Sequence, residues 1–182
     1  MRVPTQSFTD EIEVKRSRFI GVGYYIDNKD EIKGIINSLR KAHPQANHVV
    51  HASIIGKMGE FVSVSDDKEP KNTAGRPVLE VVKGSDLTNI IVCVVRYFGG
   101  TLLGTGGLVK AYTEAAQLVV NNIESEQLVE TQTFTFSIPY EHYDKVNMFL
   151  KEYQREMEST FLSDITITYT CEQSVYEMIK ET

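Results

Sequence analysis

The stretch NIIVCVVRYFGGTLLGTGGLVKAYTEAAQLVV, residues 89–120, constrains the fold of this chain more than any other. Ile90 to Val95 is an unbroken apolar run of strand length, which reads as a strand buried on both faces. Leu108, Ala111, Tyr112, Ala115, Leu118 and Val119 then recur at helical spacing and define one apolar face, with Asn121 and Asn122 expected to end the helix. Between the two lie five glycines within nine positions, Gly99, Gly100, Gly104, Gly106 and Gly107. Glycine there either permits positive φ and close packing of helix on sheet, or leaves the free N–H groups at the helix start open to an anion. Standard nucleotide fingerprints fail: a GxGxxG frame from Gly104 meets Val109, and a Walker frame from Gly99 meets Thr105 instead of lysine. No nucleotide cofactor is expected.

The remaining elements alternate around this unit. EIEVKRSRFIGVGYYID reads as two strands or one bent strand, with Arg16 and Arg18 flanking the bend. Ile32, Ile35, Ile36 and Leu39 form a helical stripe behind an Asn28–Glu31 capping box. HVVHASIIG and EFVSVS form a hairpin, SDDKEPKNTAGRP a long polar loop outside the core, and PVLEVVKG a short helix with Pro77 in its first turn. IESEQLVETQ is polar and acidic and is expected to be a linker. Beyond it FTFSI, a helix through Tyr143, Val146, Leu150 and Tyr153, EMESTFL, ITITYTC and a last helix opened by a Ser174–Glu177 capping box give the order βαββα. A βαββαβ ferredoxin-like sandwich would need one more strand, so this end is short or leaves an edge for a protein partner. The chain is therefore expected to be α+β with two domains, 1–128 and 129–182.

Composition sets the outer limits. The chain has 182 residues, 41% hydrophobic and 24% charged, as in folded globular proteins. No run approaches the roughly 20 apolar residues of a membrane helix, and MRVPTQSFTDEIE has no apolar signal core, so a cytoplasmic protein without membrane contact is expected. Cys93 and Cys171 sit apart in apolar runs and read as small buried hydrophobes in a reducing compartment. The net charge of −6 is uneven: residues 1–130 hold 15 Lys/Arg against 16 Asp/Glu, and 131–182 hold 4 against 9. Any nucleic-acid binding needs a local basic patch in the first part.

Within the polar loop, Asp66, Asp67 and Glu69 offer hard oxygen ligands for Mg²⁺ or acid–base groups, while Lys68, Lys71 and Arg76 offer anion contacts. The bland alternative is a solvated loop whose charges cancel. His48 and His51, three apart in a strand, face opposite ways and cannot share a metal, and either reads first as a core or surface histidine. Arg96 ends the buried strand beside the glycines and could meet a phosphate or the acids at 66–69.

Taken together, DDKEPKNTAGRPVLE and VVRYFGGTLLGTGGLVKAY resemble the two signatures of the YigZ/IMPACT family, whose usual forms are DDGEPSGTAGRP and RYFGGxxLGTGGLVRAY. SRF and His48 also fit, so the resemblance spans nearly the whole chain. It implies an N-terminal domain like domain IV of elongation factor G, ribosomal-protein-like with a left-handed βαβ unit, and a ferredoxin-like C-terminal domain lacking its last strand. It also implies association with RNA or a ribosome and regulation of translation, and the reading leans away from an enzyme without settling it. The eukaryotic relatives act through an extra RWD domain that this sequence does not contain, so their partner is not expected here. Carried over by position, the implied binding residues are His48, Asp66, Asp67, Glu69, Thr73, Gly75, Arg76, Arg96, Tyr97, Gly99, Gly100, Gly104, Thr105, Gly106, Gly107 and Lys110. No catalytic residue, metal or cofactor is implied. Lys68, Lys71 and Asn72 replace Gly, Ser and Gly, which narrows the backbone shapes open to that loop. Val49, Val50 and His51 replace the usual Asn-Cys-aromatic stretch, leaving cysteine chemistry there unsupported. Two other readings remain: an enzyme for a small phosphorylated or anionic ligand, using the acidic loop with Mg²⁺ and the glycine turn, and a protein-interaction module.

Overall fold

The computed structural model describes residues 1–153 and 156–180; positions 154–155 and 181–182 of the expected second domain lie outside the described residues. Helices and sheets are mixed, and the chain divides into two units, Met1–Leu128 and Val129–Thr182. No helix among the described residues is long and apolar enough to cross a membrane.

In the first unit β1 is Arg2–Pro4, β2 Phe8–Val14, β3 Ser17–Tyr25, α1 Ile32–Ala42, β4 His48–Ile55, β5 Phe61–Ser65, α2 Gly75–Gly84, β6 Ile90–Tyr97, α3 Gly104–Asn122 and β7 Ser125–Gln127. Five strands form one sheet in the order β2-β3-β6-β4-β5, every neighbour antiparallel. The run at 17–25 is thus a strand of its own, hinged from β2 at Lys15 and Arg16, both with positive φ. The apolar run at 90–95 lies in the middle of the sheet and is buried along its whole length. Its alternation sorts two cores. Ile90, Val92 and Val94 face α2 and α3, whereas Ile91, Cys93 and Val95 face Leu39 and the isoleucines of α1.

Three expectations give way here. The segment IESEQLVETQ is not all linker, because residues 125–127 pair with β1 and tie the start of the unit to its end. The helix through Pro77 begins earlier, at Gly75, so that Gly75 and Arg76 belong to its first turn. Asn28 caps a 3-10 turn at Lys29–Glu31 that leads into α1, its side chain accepting from the Asp30 amide. Helix α3 does end at Asn122, as expected, and Asn122 Nδ2 donates to the Leu118 carbonyl at 2.8 Å.

In the second unit β8 is Thr131–Ile138, α4 Tyr143–Lys151, β9 Glu156–Phe161, β10 Ile165–Glu172 and α5 Gln173–Lys180. Among the described residues its sheet has the order β8-β10-β9, fully antiparallel. Ile165, Ile167, Tyr169 and Cys171 alternate into a small core with Leu150, while Thr133–Thr170, Thr135–Thr168 and Ser137–Thr166 pair hydroxyls on the exposed face. Helix α5 starts one residue before the expected Ser174 cap, and Glu177 accepts instead from Gln173 Nε2.

Candidate functional site

The alternation that builds the cores also aims the polar residues at the strand ends. His48 begins β4 and is paired in register with Arg96 near the end of β6, and both lie on the α2/α3 side. Tyr97, one residue further, turns to the α1 side, where its hydroxyl meets His43 Nδ1 at 2.8 Å. Tyr97 is therefore not part of a site with Arg96, a correction that follows from the two-residue period of a strand. His51 likewise faces away from His48, against Ser63, and burial lowers its pKa.

The acidic loop is folded inward, not left in solvent outside the core. Glu69, Thr73, Ala74 and Gly75 are buried. Asp66 accepts from the amides of Asn72, Ala74 and Gly75 at 2.9, 3.1 and 2.8 Å, closing the loop onto the start of α2. Asp67 accepts from the Val49 amide at 2.6 Å and from Arg40 at 2.7 Å, and its carbonyl accepts from His48 Nδ1 at 2.8 Å. Thr73 Oγ1 donates to the Pro70 carbonyl. The three carboxylates thus have three separate sets of partners, and no cluster of three or more metal-ligating side chains occurs among the described residues. Lys68 and Asn72 adopt φ of 69° and 63°, so the left-handed turns survive where the usual family form has glycine.

Glu69 is the pivot of the interior. Its Oε1 accepts from Arg96 at 2.6 Å and from the Tyr112 hydroxyl at 2.7 Å, with His48 Nε2 at 3.7 Å. Arg96, 5% exposed, lies between the rings of Phe19 and Phe98 at 5.3 and 5.7 Å. Of the two options open to Arg96, the acidic loop is the one realised. Burial pushes the Tyr112 phenol far above its ordinary pKa, and the neighbouring Glu69 charge adds to the shift. Because a carbonyl only accepts, His48 Nδ1 must carry a proton, which turns Nε2 toward Glu69.

The glycine corner shapes what lies above this floor. A Cβ on Gly99 would collide with the backbone carbonyl of Arg16, so only glycine lets the corner rest on the β2–β3 turn. Gly104 has φ of +74° at the first position of α3. The start of α3 has no side-chain cap and no acid in its first turn, which leaves its leading N–H groups open. A groove of about 460 Å³ opens there, with His48, Glu69, Arg96, Gly104 and Thr105 among its lining residues.

These five expected residues are brought together, and the others are not. Asp66, Asp67, Thr73 and Gly75 hold the loop behind the groove, Gly99 and Gly100 shape the corner, and Gly106, Gly107 and Lys110 continue α3. Arg76 lines a different groove of about 660 Å³, between α2 and α3, with Glu80, Val109 and Thr113. Sequence reasoning missed Asn47, Phe98, Leu102, Leu103 and Leu108 in the first groove. Phe98 and Leu102 carried a usable signal, as apolar residues inside a glycine turn that has no core of its own to fill.

The profile of the Impact N-terminal domain family matches residues 15–120. An "IMPACT family member" of Haemophilus influenzae is 38% identical over 159 residues, covering 86% of this chain and 77% of that protein. "IMPACT family member YigZ" of Escherichia coli is 36% identical, with 76% and 69% covered, and "IMPACT family member YvyE" of Bacillus subtilis 33% identical, with 94% and 77% covered. A solved structure described as "Crystal structure of an hypothetical protein" superposes with a TM-score of 0.72 at 30% identity, over 97% of this chain and 87% of that one.

Proposed function

The chain belongs to the IMPACT family, and on that premise we propose that its first unit binds RNA or a ribosomal surface in the cytoplasm and thereby regulates translation without catalysing a reaction. One observation carries this reading: the end of the sheet that bears the groove is basic, although the chain as a whole has a net charge of −6. Its carboxylates at 66, 67 and 69 are turned onto internal partners, whereas Lys15, Arg16, Lys68, Lys71, Arg76 and Lys110 are exposed and form no ion pair among the described residues. An exposed rim of uncompensated cations is what a phosphate backbone recognises. In this reading residues 1–128 are the ribosomal-protein-like domain with its left-handed βαβ unit. Residues 129–182 are a ferredoxin-like domain, supported by the strand order β8-β10-β9.

The test is binding of fluorescently labelled RNA, and of purified ribosomes, across a salt titration. Affinity should fall steeply with salt, and Lys68→Glu with Lys71→Glu should weaken it and flatten the slope by about 0.7 for each phosphate that is no longer neutralised. Absence of salt-sensitive binding at micromolar protein would overturn the reading.

A further inference from the structure

We propose that the groove at the start of α3 receives one unpaired nucleotide of a single-stranded RNA, with the base against Phe98 and Leu102 and the adjoining phosphate at the helix N-terminus. This rests on the RNA reading above and names what that surface distinguishes. The groove, about 460 Å³, has room for one nucleotide. Its walls are apolar: Pro70, Phe98, Leu102, Leu103 and Leu108. Phe98 is 44% and Leu102 82% exposed, so the chain offers both to solvent. Unpaired bases stack on such side chains, whereas bases within a duplex cannot reach them.

The floor adds a second, independent observation. Arg96 is 5% exposed, yet only its Nη1 is firmly held, by Glu69; Nη2 lies 3.5 Å from Ser17 Oγ, and Nε has no hydrogen-bond partner. Donors on Arg96 stand beside an acceptor on Glu69, a pattern suited to a base edge, which carries both kinds of group. Since Arg96 and Glu69 cancel each other's charge, attraction of the phosphate falls to the rim and to the helix end. There α3 has no side-chain cap, and nothing stands within 4 Å of where a Gly106 Cβ would be, so the backbone N–H groups can be approached closely. Lys68 and Lys71 flank the Glu69–Pro70 wall in sequence, and Lys110 follows Leu108.

The experiment measures fluorescence anisotropy of a labelled ten-nucleotide single-stranded RNA and of the same sequence as a duplex, with the full chain at fixed salt. Wild type should prefer the single strand. Phe98→Ala, an exposed site whose foldedness is checked by thermal melting, should lose about tenfold in single-strand affinity and leave duplex binding and the salt slope unchanged. Leu102→Ala should act in the same direction more weakly, and a strand of abasic nucleotides should bind wild type no better than the duplex. If both variants bind the single strand as wild type does, while Lys68→Glu with Lys71→Glu still weakens both RNAs, the nucleotide pocket is refuted and the RNA reading stands. If neither RNA binds wild type, both fall together.

Discussion

Arg96 of β6 and Glu69 form a buried charge pair met from three further elements: Ser17 at the start of β3, His48 of β4 and Tyr112 of α3. Such a pair adds little net stability by attraction alone, because removing both ions from water costs as much as their contact returns. Removing one partner is different, since it strands the other charge. Glu69→Gln should therefore lower stability by about 3 kcal/mol in denaturant unfolding, and Arg96→Met by a similar amount. The double variant should be less destabilised than the sum of the two, which a double-mutant cycle measures. Full additivity would mean that the two side chains act separately.

Among the elements, the glycine corner separates residues that look alike in the sequence. Gly99 is required by contact, because its Cα lies against the Arg16 backbone, and Gly99→Ala should cost on the order of 2 kcal/mol through forced displacement of the turn. Gly106 lies in the first turn of α3 with open space around it and no positive φ. There Gly106→Ala should raise stability by about 0.5 kcal/mol, since alanine loses less chain entropy in a helix. Thermal melting of the two variants checks both signs. The same contrast applies to Lys68 and Asn72, which hold left-handed conformations without being glycine because Asp66 and Asp67 pin the loop through four backbone amides.

At the scale of the whole molecule, two units carry separate cores. Leu150 packs with Ile165, Ile167 and Tyr169, and its carbonyl accepts the Tyr169 hydroxyl at 2.9 Å. Leu150→Ala should destabilise the second unit by about 3 kcal/mol. Hydrogen exchange should then quicken at β10 amides and stay unchanged at those of β6; equal quickening in both would show one cooperative unit instead.

Much of this architecture was legible in the residues. Period-two and period-3.6 patterns are local, so the buried strand at 90–95, the helix after the glycines, the 48–65 hairpin and the βαββα order of the second unit could be read directly. The two motifs likewise identified the family. What the residues could not reveal was which polar groups would meet. Asp66, Asp67 and Glu69 are near neighbours in sequence, yet one closes a loop, one ties a strand to α1 and one enters the core. Arg96 and Tyr97 are adjacent and face opposite layers. A carboxylate's role is decided by its partner, and here every partner of Glu69 outside its own loop stands at least 21 positions away, brought near only by the register of β4 on β6 and the packing of α3 across them.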